Sequence, residues 1–230
     1  MAETERSLSG IVLLEGLGQD ELAALEKKCH WLRVRARREI IARDADSTDV
    51  YFVVRGSVRV VNYAPSGREI SFDDIRAGGM FGGLSAIDGA PRSAGIMALE
   101  ETTVATLSRA VFLDLVTGTP PIALAMLCHL AGTLRAATGR IFDLSTVGAH
   151  NRIHAELLRL AEPGPAESNT AVISPVPVHA DIASRVSTTR ETVARVLGDL
   201  GRQGLVQRDG DSLIVRDIDA LVAMVKELKG

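Results

Sequence analysis

Residues 178–206 read VHADIASRVSTTRETVARVLGDLGRQGLV, and the spacing of their apolar side chains decides the fold. Ala180, Ile182, Ala183 and Val186 recur at helical spacing, Ser187-Thr188 breaks the run, and Val193, Val196, Leu197 and Leu200 resume the same period. The pattern predicts a helix, a tight turn and a second helix N-capped by Thr189. Such a pair is the skeleton of a helix-turn-helix, whose second helix can enter the major groove of DNA. Its open face carries Arg190, Glu191 and Arg195 near the N-terminus. Arginine can donate two bonds to guanine O6 and N7 and glutamate can accept from cytosine N4, each contact discriminating by about 1–3 kcal/mol. The competing reading is an ordinary solvated face, since Glu191 and Arg195 stand at i and i+4 and could form a salt bridge.

The residues downstream extend the motif. Gly204-Leu205-Val206 ends the second helix, and Gln207 to Val215 reads as two short strands around the turn Asp209-Gly210-Asp211. That completes a winged helix-turn-helix. The string TTRETVARVL (188–197) followed by GLV (204–206) resembles the DNA-binding domain of the CRP/FNR superfamily of bacterial transcription regulators. The resemblance implies a homodimer on a palindromic double-stranded site, with Thr188, Thr189, Arg190, Glu191 and Arg195 at the DNA. It also implies RNA polymerase as a partner if the protein activates.

The chain has 230 residues, room for two domains, with 46% hydrophobic and 24% charged residues, as in soluble globular proteins. No run of about 18 apolar residues marks a membrane span, and MAETERSLSG lacks the apolar core of a signal peptide. A cytoplasmic location with no membrane partner is expected. The net charge of −3 does not exclude DNA, because Arg185, Arg190, Arg195, Arg202, Arg208 and Arg216 cluster near the C-terminus. Asp181, Asp199, Asp209 and Asp211 dilute that cluster. Cys29 and Cys128 lie far apart without a C-x-x-C partner, so no zinc site or iron–sulfur cluster is encoded. His150 and His154, four apart, could share a metal on a helix face; the plainer reading is polar residues at a domain junction.

Toward the N-terminus, Gln19 to Cys29 has helical period, and from Trp31 brief runs rich in β-branched residues take over. These are Leu32-Val34, Ile40-Ile41, Val50 to Val54, Val58 to Val61 and Ile70 to Phe72. Turn signals separate them, which predicts a β-sandwich or barrel. YFVVRGSV (51–58) and MFGGLSAIDGAPRSA (80–94) resemble the strand and the phosphate-binding cassette of a cyclic-nucleotide-binding jelly roll, whose motif is F-G-E-L-A followed by P-R-S-A. Gly82 and Gly83 let backbone N–H groups come close to an anion, and Arg92 supplies a charged fork for phosphate oxygens.

That resemblance implies cyclic AMP or cyclic GMP as effector, no covalent or metal cofactor, and a ligand shell of Gly82, Gly83, Leu84, Ser85, Arg92, Ser93, Val60, Phe72 and Thr138. One position departs. Where the family has a glutamate that accepts from the ribose 2′-hydroxyl, this chain has Gly83. Loss of one charged hydrogen bond costs about 1.5–3 kcal/mol, so weak cyclic AMP binding, another nucleotide, or no effector are all open.

After the last strands, a short helix around Phe112 to Leu115 ends near Gly118, and a long helix is predicted from Ile122 to about Leu144. Leu127, Leu130, Leu134, Ala137, Ile141 and Leu144 are spaced three, four, three, four, three, a heptad seam on which two copies could pair. The same stripe could instead pack on its own roll. Thr138 would either reach the nucleotide base or bond its own helix carbonyl. His150 to Ala161 reads as a helix, Glu162 to Asn169 as a polar loop, Ala171-Ile173 and Val176-Val178 as short strands, and Asp217 to Leu228 as a terminal amphipathic helix. The expected architecture is α+β: an effector jelly roll over 1–120, a dimerisation helix over 121–148 and a winged helix-turn-helix over 149–230. No catalytic constellation is visible, and an enzyme is not expected.

Overall fold

The computed structural model describes residues 6–163 and 168–226. It divides into two compact units, 1–134 and 135–230.

The first unit is built on two four-stranded sheets. One has the order β1-β8-β3-β6 (His30–Val34, Thr102–Leu107, Val50–Arg55, Met80–Phe81), and the other β2-β7-β4-β5 (Glu39–Ile41, Gly95–Ala98, Ser57–Tyr63, Glu69–Arg76). Every pairing is antiparallel. Strands β3 and β8 have almost no exposed side chains; β3 appears in the sequence as a continuous apolar run rather than an alternating one, whereas β8 buries Thr102, Thr103 and Thr106 beside its apolar residues. Gly56, with φ of +83°, turns β3 into β4; a Cβ there would lie 2.6 Å from the carbonyl oxygen of Glu101. Helices α1 (Gln19–Glu26) and α3 (Arg109–Gly118) and the start of α4 (Pro120–Thr146) close one end. Leu14, Leu25, Phe52, Phe112, Ile122 and Met126 share its core.

The second unit packs α5 (Ala149–Leu160), α6 (His179–Arg185), α7 (Arg190–Arg202) and α8 (Ile218–Lys226) with a sheet ordered β11-β12-β10-β9 (Val206–Asp209, Ser212–Val215, Ala171–Ile173, Glu162–Pro163). Its core joins Ile153 and Leu157 to Ile182, Val193, Val196, Leu200 and Leu221.

Several expectations are revised. Residues 83–88 of the cassette, given no secondary structure by the sequence reading, form helix α2 (Gly83–Asp88). Val176-Pro177-Val178 is not a strand: Val176 N donates to Asp211 O, but Pro177 has no N–H with which to continue a ladder. Glu162–Pro163, read as loop, pairs with Val172 and Ala171. Residues 164–167 of that loop, and Glu227-Leu228 of the terminal helix, lie outside the described residues. Helix α4 has the length and apolarity of a membrane span, 27 residues with a mean hydropathy of 1.3 over its most apolar stretch.

Candidate functional site

Within the cassette, Gly82, with a φ of +85°, turns strand β6 into α2; a Cβ there would meet Arg92 Nη1 and Asp49 O at 2.7 Å. Arg92 is therefore packed against the glycine, only 3% exposed. Its Nε donates to Ser47 Oγ (3.0 Å), Nη1 to Gly82 O (2.9 Å) and Nη2 to Asp49 O (2.7 Å). The guanidinium lies 5.9 Å from the Tyr51 ring, which itself stacks on Phe81. Burial pushes the Arg92 pKa down, while Tyr51 and Asp49 oppose the shift. A guanidinium has five N–H donors; with three engaged, one on each terminal nitrogen has no acceptor among the described residues. The backbone of Arg92 is tied as well, its N–H to Ala45 O and its carbonyl to Asp44 N.

The other expected ligand residues are distributed unevenly around this anchor. Ser85 is buried, Leu84 and Ser93 are exposed, and the Ser93 carbonyl accepts from Asn62 Nδ2 (3.2 Å). Val60 packs with the roll's inner cluster. Phe72 does not: Val60 faces Asp73 and Val61 faces Ser71, which makes Phe72 the extra residue of a bulge, 48% exposed. Gly83 is buried, and its missing Cβ would point at the methyl groups of Met80 (2.9 Å) and Met126 (3.0 Å). The space beside it is thus filled rather than vacant. Spacing alone did not reveal Ser47, Asp49 or Met126, because all three reach the cassette from other elements.

On α4 the expected seam is displaced. Ile122, Met126 and Leu130, four residues apart, form the row that packs on the unit's own core. Leu130 is therefore half-buried there and is not part of a free stripe. The exposed face runs instead through Leu124, Leu127, Leu134 and Ile141, with Thr138 between the last two; Leu134 is 69% exposed. With half-buried Ala131 included, the spacing is again three, four, three, four, three. Phe142 flanks the stripe, while Leu144 and Ala137 are exposed to its other side. Thr138 is exposed.

In the second unit, Thr189 caps α7 by accepting from Thr192 N (3.3 Å). Ser187, at φ +53°, makes the turn left-handed, and Thr188 N closes it onto Ala183 O (2.9 Å). Thr188 is buried, so it belongs to the turn and not to the expected DNA face. Val193, Val196 and Leu200 hold α7 in the core, which turns Arg190, Glu191, Ala194 and Arg195 outward together. No ion pair joins Glu191 to Arg195 among the described residues. The Glu191 backbone N–H and the Thr189 hydroxyl hold its carboxyl below the usual range, so it is an ionised acceptor at neutral pH.

Behind this face, Arg152 Nε donates to Val186 O (2.9 Å) and Nη1 to Val147 O (2.5 Å), fixing the turn to the start of α5. Buried Glu156 takes two bonds from Arg159 and faces Arg185 at 3.6 Å. Arg185, counted among the basic residues for phosphate, is thereby turned inward. His154 is half-buried with Nδ1 unpartnered, and its pKa is lowered by burial and by His150. No group of three or more metal-ligating side chains occurs among the described residues.

Together the roll with its cassette and the winged helix pair define a DNA-binding regulator carrying a sensor fold. Comparison with known proteins agrees. Residues 31–118 match the family model of the cyclic nucleotide-binding domain and 151–224 that of the Crp-like helix-turn-helix domain. The cyclic AMP receptor protein of Thermus thermophilus is 32% identical over 170 residues, covering 73% of this chain and 75% of that protein. The CRP-like cAMP-activated global transcriptional regulator of Mycobacterium tuberculosis is 26% identical over 91% of this chain and 94% of its own. A CooA variant from Carboxydothermus hydrogenoformans superposes with a TM-score of 0.77 at 23% identity, covering 93% of this chain and 95% of the other. The chain belongs to the CRP/FNR superfamily of transcription regulators, and it is a DNA-binding regulator rather than an enzyme.

Proposed function

We propose that the protein acts in the cytoplasm as a homodimer that reads a palindromic DNA site under control of a cyclic nucleotide held at Arg92. The exposed leucine stripe of α4 supports the dimer. It is one-sided and carries Thr138 within it, while Arg135, Arg140 and Asp143 lie elsewhere around the helix. That distribution fits a partner helix better than lipid. Two copies would place the α7 helices about one turn of DNA, roughly 34 Å, apart. RNA polymerase is the further partner if the protein activates.

The observation that carries the effector reading is the Arg92 fork. One unengaged N–H on each terminal nitrogen suits two oxygens of one phosphate, and the Thermus and Mycobacterium relatives are named for cyclic AMP. Titration calorimetry tests it: cyclic AMP or cyclic GMP is expected to bind the wild type and to give no heat with Arg92→Ala. A second reading, an effector-independent regulator, is favoured by a different fact. Protein oxygens already occupy three of the arginine's donors, and methionine methyls fill the ribose side at Gly83. Absence of heat with both nucleotides would select that reading.

For DNA, half-sites close to TGTGA are expected, from the family resemblance of Arg190, Glu191 and Arg195. Arg190→Ala should weaken binding by about 1–3 kcal/mol and relax preference at one guanine. Selection from random duplexes with wild type and variant checks this, and identical recovered sites would refute the assignment.

A further inference from the structure

We propose that the DNA-binding unit carries a small-molecule site of its own, a groove beside helix α7 that takes a small amphipathic acid anion and opposes DNA binding when filled. The groove lies between α7, the segment leading into α6 and the wing strands β11 and β12, with a volume of about 280 Å³. Ligand clefts usually span about 300–1,000 Å³, so it suits an occupant at the small end of that range. Leu197, Val206 and Leu213 form its floor and pack with the unit's core, which holds the apolar surface in place without an occupant. Its charged and imidazole groups are Arg208 and His179, both exposed, and no carboxylate stands among the described lining residues. Arg208 engages only Nε, on Gly210 O at 3.3 Å, and its two terminal nitrogens have no acceptor among the described residues. An apolar floor beside an unopposed guanidinium fork fits an apolar body with one anionic head.

Helix α7 contributes Ala194, Gly198 and Gly201 to the groove. Neither glycine is left-handed, and within 4 Å a Cβ at Gly198 would meet only Arg202 Nη1, at 3.8 Å, and one at Gly201 only Val206 O, at 4.0 Å. Backbone and packing therefore admit alanine at both positions, and helix propensity favours it. The missing side chains keep the groove open. Ala194 also turns outward with Arg190, Glu191 and Arg195, so an occupant lies against the face proposed to read DNA. It neutralises Arg208 as well, one of the arginines available to phosphate. Occupant and DNA then weaken each other by the same factor. A DNA strand is the poorer occupant, because protein–DNA interfaces are polar and this floor is apolar. No lining residue belongs to the roll, so the groove does not depend on a nucleotide at Arg92.

The probe is octanoate, titrated calorimetrically into the full-length protein, with octylamine and acetate as controls for the charge and for the apolar body. Octanoate is expected to bind the wild type, to bind Arg208→Gln about tenfold or more weakly, and to give no heat with Gly198→Leu, whose side chain fills the groove. Neither control should give heat at the same concentrations. Saturating octanoate should raise the dissociation constant of the wild type for a selected duplex about fivefold or more and leave that of Gly198→Leu where it was. The site is overturned if octanoate gives no heat, if octylamine binds as well, or if octanoate binds without changing DNA affinity. An octanoate signal that Gly198→Leu retains and cyclic AMP abolishes would place the acid in the roll and also overturn it. Loss of DNA binding by Gly198→Leu, with no octanoate binding to the wild type, would assign the groove to a DNA strand instead. Should circular dichroism show Gly198→Leu unfolded, Arg208→Gln decides alone, and wild-type octanoate affinity in that variant overturns the site.

Discussion

Leu134→Asp is expected to give a protein that sediments as a monomer at micromolar concentration and no longer binds its DNA site, while the β-roll stays folded. Leu134 lies at the middle of the exposed stripe and already faces solvent within one chain, so the substitution costs the isolated fold little. In a paired helix it would bury a carboxylate against its own copy, at about 3–5 kcal/mol or more for an uncompensated buried charge. Loss of the dimer then removes one of two half-site contacts and with it the affinity. Leu130→Asp separates this stripe from the seam expected from sequence. Because Leu130 packs on the roll's own core, that variant should lower the unfolding temperature of the roll before it affects association. A monomeric wild type, or a Leu134→Asp protein that still dimerises, would refute the stripe as the interface.

Arg92→Ala should show the second large effect, and on two readouts at once. Removing the guanidinium strips three charged hydrogen bonds and leaves the carbonyls of Gly82 and Asp49 without that donor in a closed site. Bonds to charged groups are worth about 1.5–3 kcal/mol each, so a loss of about 3 kcal/mol or more of roll stability is expected. Denaturant unfolding followed by circular dichroism measures it. Nucleotide binding should vanish together with that stability. Arg92→Lys distinguishes the two roles: it keeps a charge for phosphate but cannot reach Ser47, Asp49 and Gly82 with one planar fork. It should retain some nucleotide affinity while losing most of the stability. An Arg92→Ala protein as stable as wild type would mean that the three bonds contribute nothing to the fold.

The sequence alone determined the elements whose period is local. The two helices of the helix-turn-helix, the Thr189 cap, the wing around Gly210 and the outward set Arg190, Glu191 and Arg195 follow from apolar spacing over one contiguous stretch. The brief β-branched runs likewise indicated a β-sandwich or barrel, because each strand is bounded by its own turn signals; the antiparallel order of its two sheets is read from the structure. Tertiary structure decided whatever depends on partners distant in the chain. A leucine-rich helix supports two neighbouring stripes of nearly equal apolarity. Only the packing of Ile122, Met126 and Leu130 on the core shows that the exposed one runs through Leu124, Leu127, Leu134 and Ile141. Thr188 reads as part of an exposed motif until its N–H is seen to close the turn on Ala183. Arg92 stood out as the charged residue of the cassette motif, yet its three bonds to residues 47, 49 and 82 arise from the loop before β3 meeting the turn into α2. Gly83 was legible as a missing glutamate. That the gap is filled by methionines from β6 and α4 is a fact of three-dimensional packing, which periodicity along one chain segment does not encode.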